Sequence, residues 1–119
     1  MRIERELMRG AGPVAILKLL SHREMYGYEL VETLASRTEG VLAMGQSTVY
    51  PLLYNLEAKG LVQSERRRAD NGRERKYYGL TGAGHHRLKA EIEQWQAVND
   101  AMQSLGVIRG MGMLGNAFA

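Results

Sequence analysis

The spacing of apolar residues changes at Gly60, and this change constrains the fold more than any other feature of the sequence. Upstream of Gly60, four apolar residues recur at the three- and four-residue intervals of a helix with one buried face: Val49, Leu52, Leu53 and Leu56. Downstream, residues 61–62 and 76–80 favour short strands, and the turn-forming residues 69–72 lie between them. The sequence therefore predicts a helix followed directly by a β-hairpin.

Two further helices are predicted upstream of this pair. The first covers residues 13–20, where apolar residues keep helical spacing, and it continues back into the N-terminal segment. The second covers residues 28–37, where two leucines lie one turn apart. Residues 21–27 and 40–45 are predicted to be connections.

The ends of the third helix are predicted from its capping residues. Ser47 is a suitable N-cap, and Gly60 stops the helix after about Lys59. Pro51 then lies inside the first turn, where it removes a hydrogen bond. Tyr50 is an alternative N-cap, although it is chemically a poorer one.

A long final helix is predicted after the hairpin. Thr81 caps it, and the stretch from Ala83 to Leu105 would be about 35 Å long at 1.5 Å per residue. Its apolar stripe recurs close to every 3.5 residues and comprises Leu88, Ile92, Trp95, Val98 or Asn99, Met102 and Leu105. Such a repeat is typical of a helix that packs along another helix.

This order of elements predicts a mainly α fold with a small β-hairpin, namely a winged helix-turn-helix followed by a long C-terminal dimerisation helix. The DNA-binding domain is predicted to span residues 1–80 and the dimerisation helix residues 81–105. Residues 106–119 are rich in Gly, Met and Ala without a clear period, and are predicted to form a flexible tail. A second subunit would bury surface that a chain of 119 residues leaves exposed.

Composition and motifs exclude several classes of function. Without a cysteine the chain cannot form disulfides or thiolate metal sites, and no apolar run approaches the roughly 20 residues that span a membrane. The N-terminal segment lacks the apolar core of a signal peptide, so a cytoplasmic location is expected.

The sequence has no phosphate-cradling glycine motif and no nucleophile signature. His85 and His86 point about 100° apart on a helix and do not share a metal simply. The chain is therefore predicted not to be an enzyme and to need no metal or cofactor.

The hairpin carries the basic excess of the chain. Six basic and three acidic residues lie between Gln63 and Lys76, and this excess of three equals the net charge of the whole chain, +3. A local basic excess on a short hairpin suggests a polyanionic partner. A solvated hairpin of mixed charge is the alternative, and charge alone does not decide between the two.

A helix with an apolar face behind it and an exposed face in front fits the major groove of duplex DNA. The residues predicted to face DNA lie on the third helix and beyond the hairpin turn: Gln46, Ser47, Thr48, Tyr50, Pro51, Tyr54, Arg73, Arg75 and Lys76. Ser47 and Thr48 can donate to phosphates, and Gln46 can pair with an adenine edge. The basic side chains of the hairpin can reach the DNA backbone or the minor groove.

Alternatives stay open for some of these side chains. Tyr50 and Tyr54 can instead pack under the hairpin or against a neighbouring subunit, since tyrosines are amphipathic. Arg67 must point away from Arg66 and Arg68, because side chains alternate along a strand. At least one of these three arginines is therefore expected to be merely solvated.

Four blocks of the sequence resemble the PadR family of transcriptional regulators. They are MYGYEL at residues 25–30, STVYPLL at 47–53, LEAKGLV at 56–62 and RKYYGLT at 75–81. Each block is weak evidence by itself, whereas four in the same order from about residue 10 to residue 105 are a specific match. The tail beyond Leu105 departs from the resemblance.

The resemblance implies a sequence-specific, homodimeric repressor with a single C-terminal dimerisation helix. It implies that residues 46–54 recognise DNA and that residues 73–76 lie on the wing. It further implies that Trp95 helps to line an effector site between the subunits, without naming the effector, since those of the family vary widely. A planar aromatic wall at Trp95 would suit a small aromatic or apolar effector. By the same likeness that site is bordered by Met8, Ala11, Ile92 and Asn99.

Trp95 has a second interpretation, as a residue of the dimer core, and one ring can serve both roles. Two other functions are alternatives to that of a DNA-binding regulator. The hairpin and third helix can contact a protein instead of DNA, although the excess of arginine disfavours this. The chain can also bind effectors without reading DNA.

Overall fold

The computed structural model describes residues 1–110 as four helices and three strands. In chain order the elements are α1 (Arg5–His22), β1 (Met25–Tyr26), α2 (Gly27–Arg37), α3 (Gln46–Ala58), β2 (Val62–Arg68), β3 (Glu74–Leu80) and α4 (Gly82–Ser104). The three helices, hairpin and long final helix confirm the predicted fold class. None of the helices within residues 1–110 is both long and apolar enough to cross a membrane.

The chain divides into two compact units, one that ends at Leu88 and one that begins at Lys89. The core of the first unit is apolar and draws on its three complete helices and its sheet. Its most deeply buried side chains are Ile16, Leu17, Leu30, Leu34, Val49, Leu53, Val62 and Tyr78. The second unit contains the larger part of α4. The predicted flexible tail falls largely on residues 111–119, which lie outside the described residues.

The sheet contains a strand that the sequence did not reveal. Its order is β1–β3–β2 with antiparallel pairing throughout, and Met25 lies opposite Tyr78. The prediction that residues 21–27 form only a connection was wrong, since α1 continues to His22 and β1 follows. A strand of two residues is too short to show a period, and its pairing with β3 is a long-range contact.

The start of α3 also differs from the prediction. The carbonyl of Gly45 accepts hydrogen bonds from the N–H groups of Thr48 and Val49, both at 3.0 Å, so Gly45 is the N-cap. No side chain of the described residues caps this helix. The predictions of Ser47 and of Tyr50 as the N-cap were therefore wrong. Pro51 lies beyond the first turn and lacks the N–H that would bond to the Ser47 carbonyl.

The end of α3 and the start of α4 follow the predicted signals. Gly60 has a φ of 75°, and the N–H groups of Gly60 and Leu61 donate to the carbonyls of Glu57 and Leu56 in a Schellman arrangement. The hydroxyl oxygen of Thr81 accepts from the N–H of Gly84 at 3.0 Å, which confirms Thr81 as the cap of α4. These two ends fix the hairpin against the last turn of α3.

Candidate nucleic-acid interface

The outward face of α3 is exposed along its whole length. Val49 and Leu53 are fully buried on the opposite face, as the apolar spacing predicts. The exposed residues on the outward face are Gln46, Ser47, Thr48, Pro51, Tyr54, Asn55 and Ala58. This face offers hydroxyl, amide and aromatic groups without an acidic or basic side chain. It can therefore approach a base edge without bringing a carboxylate close to phosphates.

The two tyrosines of α3 have different environments. Tyr54 is 54% exposed, whereas Tyr50 is half-buried and packs against Gly27 at the start of α2. A side chain at Gly27 would collide with the Tyr50 ring, because an added Cβ would lie 2.6 Å from the tyrosine hydroxyl oxygen. The ring centroids of Tyr50 and Tyr54 are 6.3 Å apart. Packing thus holds Tyr50 mainly through α2, while Tyr54 presents its ring outward.

One face of the hairpin is tied to α3. The hydroxyl of Ser64 donates to Glu57 Oε2 at 2.6 Å, and Lys76 Nζ lies 3.9 Å from Glu57 Oε1. Lys76 Nζ also lies 5.6 Å from the centroid of the Tyr54 ring. Arg66 is the cross-strand neighbour of Lys76 and shares this face. The inner face of the hairpin, defined by Ser64, Arg66 and Lys76, therefore places Lys76 beside the outward face of α3. Arg66 on the same face lies 3.6 Å from Glu74 of the neighbouring strand.

A side-chain cluster that the sequence did not reveal lies on the outer face of the hairpin. It comprises Arg67, Arg75 and Tyr77 of the hairpin and Glu24 and Tyr26 at the neighbouring strand β1. Arg67 Nη2 lies 2.8 Å from Glu24 Oε1, and the Arg75 guanidinium lies 4.3 Å from the centroid of the Tyr26 ring. Hydrogen bonds to the carboxylates of Glu24 and Glu65 raise the pKa of Arg67 above its ordinary value. The only available signal was the alternation that separates Arg67 from its neighbours, because Glu24 and Arg67 are 43 residues apart.

The tip of the hairpin is a closed turn with exposed cations. The N–H of Ala69 donates to the Arg73 carbonyl at 2.7 Å, and the N–H of Arg73 donates to Asn71 Oδ1 at 3.0 Å. Gly72 has a φ of 82°, a backbone conformation that glycine adopts at no steric cost. Arg68 and Arg73 are exposed on either side of this turn. The predicted DNA-facing residues Arg73, Arg75 and Lys76 therefore occupy the tip, the outer face and the inner face respectively.

The residues predicted to border an effector site lie on two elements. Met8 and Ala11 are half-buried, about one turn apart on α1. On α4, Ile92 is half-buried and Asn99 is exposed, and Trp95 is 45% exposed. Each set belongs to a different compact unit.

An apolar stripe on α4 faces solvent in the single chain. Its large exposed side chains are Trp95, Val98, Met102 and Leu105. They recur at three- and four-residue intervals, so they lie on one side of the helix. A continuous exposed stripe of this kind is typical of an interaction surface.

Metal chemistry finds no support in residues 1–110, where no group of three His, Cys, Asp or Glu side chains is placed to hold an ion. The other polar groups on α3 and the hairpin are hydroxyls, amides, guanidiniums and the Lys76 amine, together with carboxylates that pair with Arg66, Arg67 and Lys76. The arrangement can therefore bind an anionic polymer through α3 and the hairpin, by hydrogen bonds and charge.

Comparison with known proteins gives consistent matches over most of the chain. The model of the transcriptional regulator PadR-like family matches residues 16–90. Transcriptional regulator Rv3488 of Mycobacterium tuberculosis is 38% identical over 84 residues, which cover 71% of this chain and 75% of that protein. A Streptococcus transcriptional regulator of known structure is 30% identical with a TM-score of 0.77, covering 87% of this chain and 99% of that one.

A further match is Bacillus subtilis PadR, whose crystal structure was determined in complex with operator DNA. Its TM-score is 0.61 at 23% sequence identity, and the match covers 87% of this chain and 50% of that chain. At this identity the likeness shows a shared fold.

Proposed function

The chain belongs to the PadR-like family of transcriptional regulators, and from this premise we propose that it binds operator DNA as a homodimeric repressor in the cytoplasm. Members of this family are regulators and not enzymes, in agreement with the prediction from the sequence. The observation that carries the proposal is the uncharged, exposed face of α3 beside a hairpin with six basic and three acidic residues. Bacillus subtilis PadR, with which the chain shares its fold, was crystallised in complex with operator DNA.

In this proposal α3 enters the major groove, which is about 12 Å wide and accepts one helix. Ser47 and Thr48 contact phosphates, and Gln46 reads a base edge in the first turn. Pro51 and Tyr54 provide apolar contacts to thymine methyl groups further along the helix, with Tyr50 at the edge of the contact. Sequence preference therefore arises from α3.

The hairpin acts as the wing and supplies charge. Lys76 on the inner face and Arg73 at the tip contact the DNA backbone or the adjacent minor groove. Arg75 was predicted to do the same, although its guanidinium lies over the Tyr26 ring on the outer face. We therefore propose, in contrast to the prediction from the sequence, that Arg75 packs on Tyr26 and does not contact DNA, and the salt dependence of binding tests this.

The exposed stripe of α4 serves as the dimerisation surface. Trp95, Val98 and Met102 would be covered by the same stripe of a second copy, as in other helix pairs with this repeat. A dimer places its two recognition helices in half-sites about 34 Å apart, one turn of the DNA helix.

Relief of repression is proposed to follow from a population shift. A small aromatic or apolar effector bound near the dimer interface would contact Trp95, with Met8, Ala11, Ile92 and Asn99 at the border of the site. Such an effector would favour a spacing of the recognition helices that does not match the operator. It needs only a differential affinity for the two spacings.

Titration of the protein into a duplex from its own upstream region tests the DNA-binding function. The titration is run at two salt concentrations, beside a scrambled duplex of the same length. Binding that prefers the native duplex and weakens steeply with salt is expected for a sequence-specific regulator. Equal and weak binding to both duplexes would favour the alternative of a protein-binding winged helix.

A further inference from the structure

An open groove of about 920 Å³ runs beside the first turn of α3. Its walls come from the N-terminal part of α1, from the residues just before α3 and from α3 itself. The volume lies at the upper end of the range of sites that hold small organic ligands. All of these residues belong to the first compact unit.

The floor of the groove is apolar. Met8, Met44 and Leu52 line it, and Met44 is buried while the other two are half-buried. The close packing beneath it depends on Gly12, where an added Cβ would lie 3.3 Å from both Leu52 Cδ1 and Met44 Sδ. Two thioether side chains make an adaptable surface, because methionine is flexible and polarizable.

The rim of the groove is cationic. Arg2, Arg5 and Arg9 line it together with one carboxylate, that of Glu4. Arg9 lies 3.6 Å from Glu6 on the same helix, whereas neither Arg2 nor Arg5 has an ion-pair partner among the described residues. Two guanidiniums at the edge of an apolar floor are complementary to one anionic group attached to an apolar body.

We propose that this groove binds an amphiphilic carboxylate, with its head group on Arg2 and Arg5 and its apolar part on Met8, Met44 and Leu52. The groove shares Met8 with the border of the effector site proposed at Trp95, but its other residues differ. Its chemistry differs too, because the Trp95 site is proposed to take an aromatic or apolar molecule between subunits.

Occupation of the groove would also regulate DNA binding, and this part rests on the proposed function. Gly45 and Thr48 line the same groove, and they are the N-cap and the third residue of α3. A carboxylate bound on Arg2 and Arg5 would lie in the groove that Thr48 also lines, on the same side as the phosphate that Thr48 is proposed to contact. Two anions cannot occupy neighbouring positions without repulsion, so the amphiphile and the operator compete.

Calorimetric titration of the full-length protein with sodium decanoate, without DNA and below the concentration of micelle formation, tests the site directly. The matched control ligand is decyltrimethylammonium bromide, which has the same chain and the opposite charge. Saturable binding of decanoate at least tenfold tighter than that of the cation is expected. Equal affinity for both, or no decanoate binding, would overturn the proposal.

Variants locate the site on the protein. Arg5→Ala, alone and with Arg2→Ala, is expected to weaken decanoate binding at least tenfold, about 1.4 kcal/mol, because a charge-assisted hydrogen bond to the carboxylate is lost. The control Arg37→Ala removes an exposed arginine that borders a smaller groove of about 210 Å³, and it should leave the affinity unchanged. Loss of binding in Arg37→Ala or in Trp95→Phe, with Arg5→Ala unaffected, would place the ligand elsewhere and refute the assignment.

Fluorescence anisotropy with labelled operator then tests the regulatory part. Decanoate is expected to weaken operator binding by the wild type at least tenfold and to have no effect on the Arg2→Ala, Arg5→Ala double variant. If the wild type binds no operator, the proposed function fails. The calorimetric titration, which contains no DNA, still tests whether the groove binds decanoate. If operator binds and saturating decanoate leaves its affinity unchanged, the competition is refuted.

Discussion

Among single residues, Tyr78 shows how burial affects stability. Its side chain is 1% exposed in the centre of the first unit. Burial, together with a smaller effect of the negative charges of Tyr54 and Glu57, raises its pKa to about 12. In the unfolded chain a tyrosine ionises near pH 10. Between pH 10 and pH 12 the folded state therefore binds more protons, and its stability falls as the pH rises.

The expected loss in the free energy of unfolding is about 2 kcal/mol on passing from pH 9 to pH 12, since one pKa unit corresponds to about 1.4 kcal/mol. Urea denaturation of the wild type and of Tyr78→Phe measures it. The difference between the two proteins isolates this tyrosine from other titrating groups. A difference that stays constant with pH would show that Tyr78 titrates alike in both states.

Gly27 tests how Tyr50 is held at the edge of α3. In Gly27→Ala the added methyl group would overlap the Tyr50 ring, so the ring must shift from its position at the edge of α3. We expect operator affinity to fall about tenfold, which corresponds to the loss of about 1.4 kcal/mol of binding free energy. The free energy of unfolding is expected to change by less than this. Gly10→Ala is the control, since Gly10 lies in α1 with no atom within 4 Å of the added Cβ. It should gain up to about 1 kcal/mol in stability and bind operator normally.

At the scale of elements, Pro51 is expected to lower the stability of α3 while providing a contact to DNA. It is the sixth residue of α3, and the helix lacks the hydrogen bond to the Ser47 carbonyl there. Pro51→Ala is expected to raise the free energy of unfolding by about 1–3 kcal/mol while weakening operator binding. Chemical denaturation and anisotropy on the same preparation measure both quantities. A variant that gains stability and binds equally well would remove Pro51 from the proposed interface.

The two faces of the hairpin predict different phenotypes for adjacent residues. Lys76→Ala should lower the slope of log affinity against log salt by about one, because Lys76 is proposed to contact a phosphate. Arg75→Ala should instead reduce stability by about 0.5–1 kcal/mol through loss of its stacking on Tyr26, with an unchanged slope. A slope reduced equally in both variants would show that Arg75 also reaches the DNA.

Elements with a period long enough to detect were predictable, and those fixed by distant partners were not. The spacing of Val49, Leu53 and Leu56 located α3 and its buried face, and Gly60 located its end. Its start was misjudged because a backbone carbonyl, that of Gly45, begins the helix without a side-chain cap. The pairing of β1 and the Glu24–Arg67 contact join residues far apart in sequence, and no local pattern encodes such contacts.

The candidate site shows the same division. Exposure of Gln46, Thr48 and Tyr54 follows from the helical wheel, and the structure agrees. The packing of Tyr50 on Gly27 depends on how α2 meets α3, which periodicity does not specify. The groove beside Thr48 was equally hidden, because its walls come from segments more than thirty residues apart.

For the whole molecule, the apolar stripe of α4 predicts a dimer, and a single charge introduced into the stripe is expected to dissociate it. Val98 is 50% exposed in the single chain and lies between Trp95 and Met102 on the stripe. Val98→Asp is expected to give monomers in light scattering and to weaken operator binding at least tenfold, because a buried unpaired charge is costly. Ala97→Asp, on the opposite side of α4, should remain dimeric and bind normally. If Val98→Asp remained dimeric, the dimer interface would have to lie elsewhere than on this stripe.

The contacts of Glu57 with Ser64 and Lys76 have a consequence for how operators can evolve. Because they join the hairpin to α3, each protomer of the proposed dimer would meet DNA at two points a fixed distance apart. A half-site would then be read as a unit of constant length, and a change of spacing within it could not be accommodated by either element alone. Tolerance would lie between half-sites, where only the subunits of the proposed dimer need to adjust. Target sites of this regulator should accordingly diversify in the gap between half-sites before they diversify inside them.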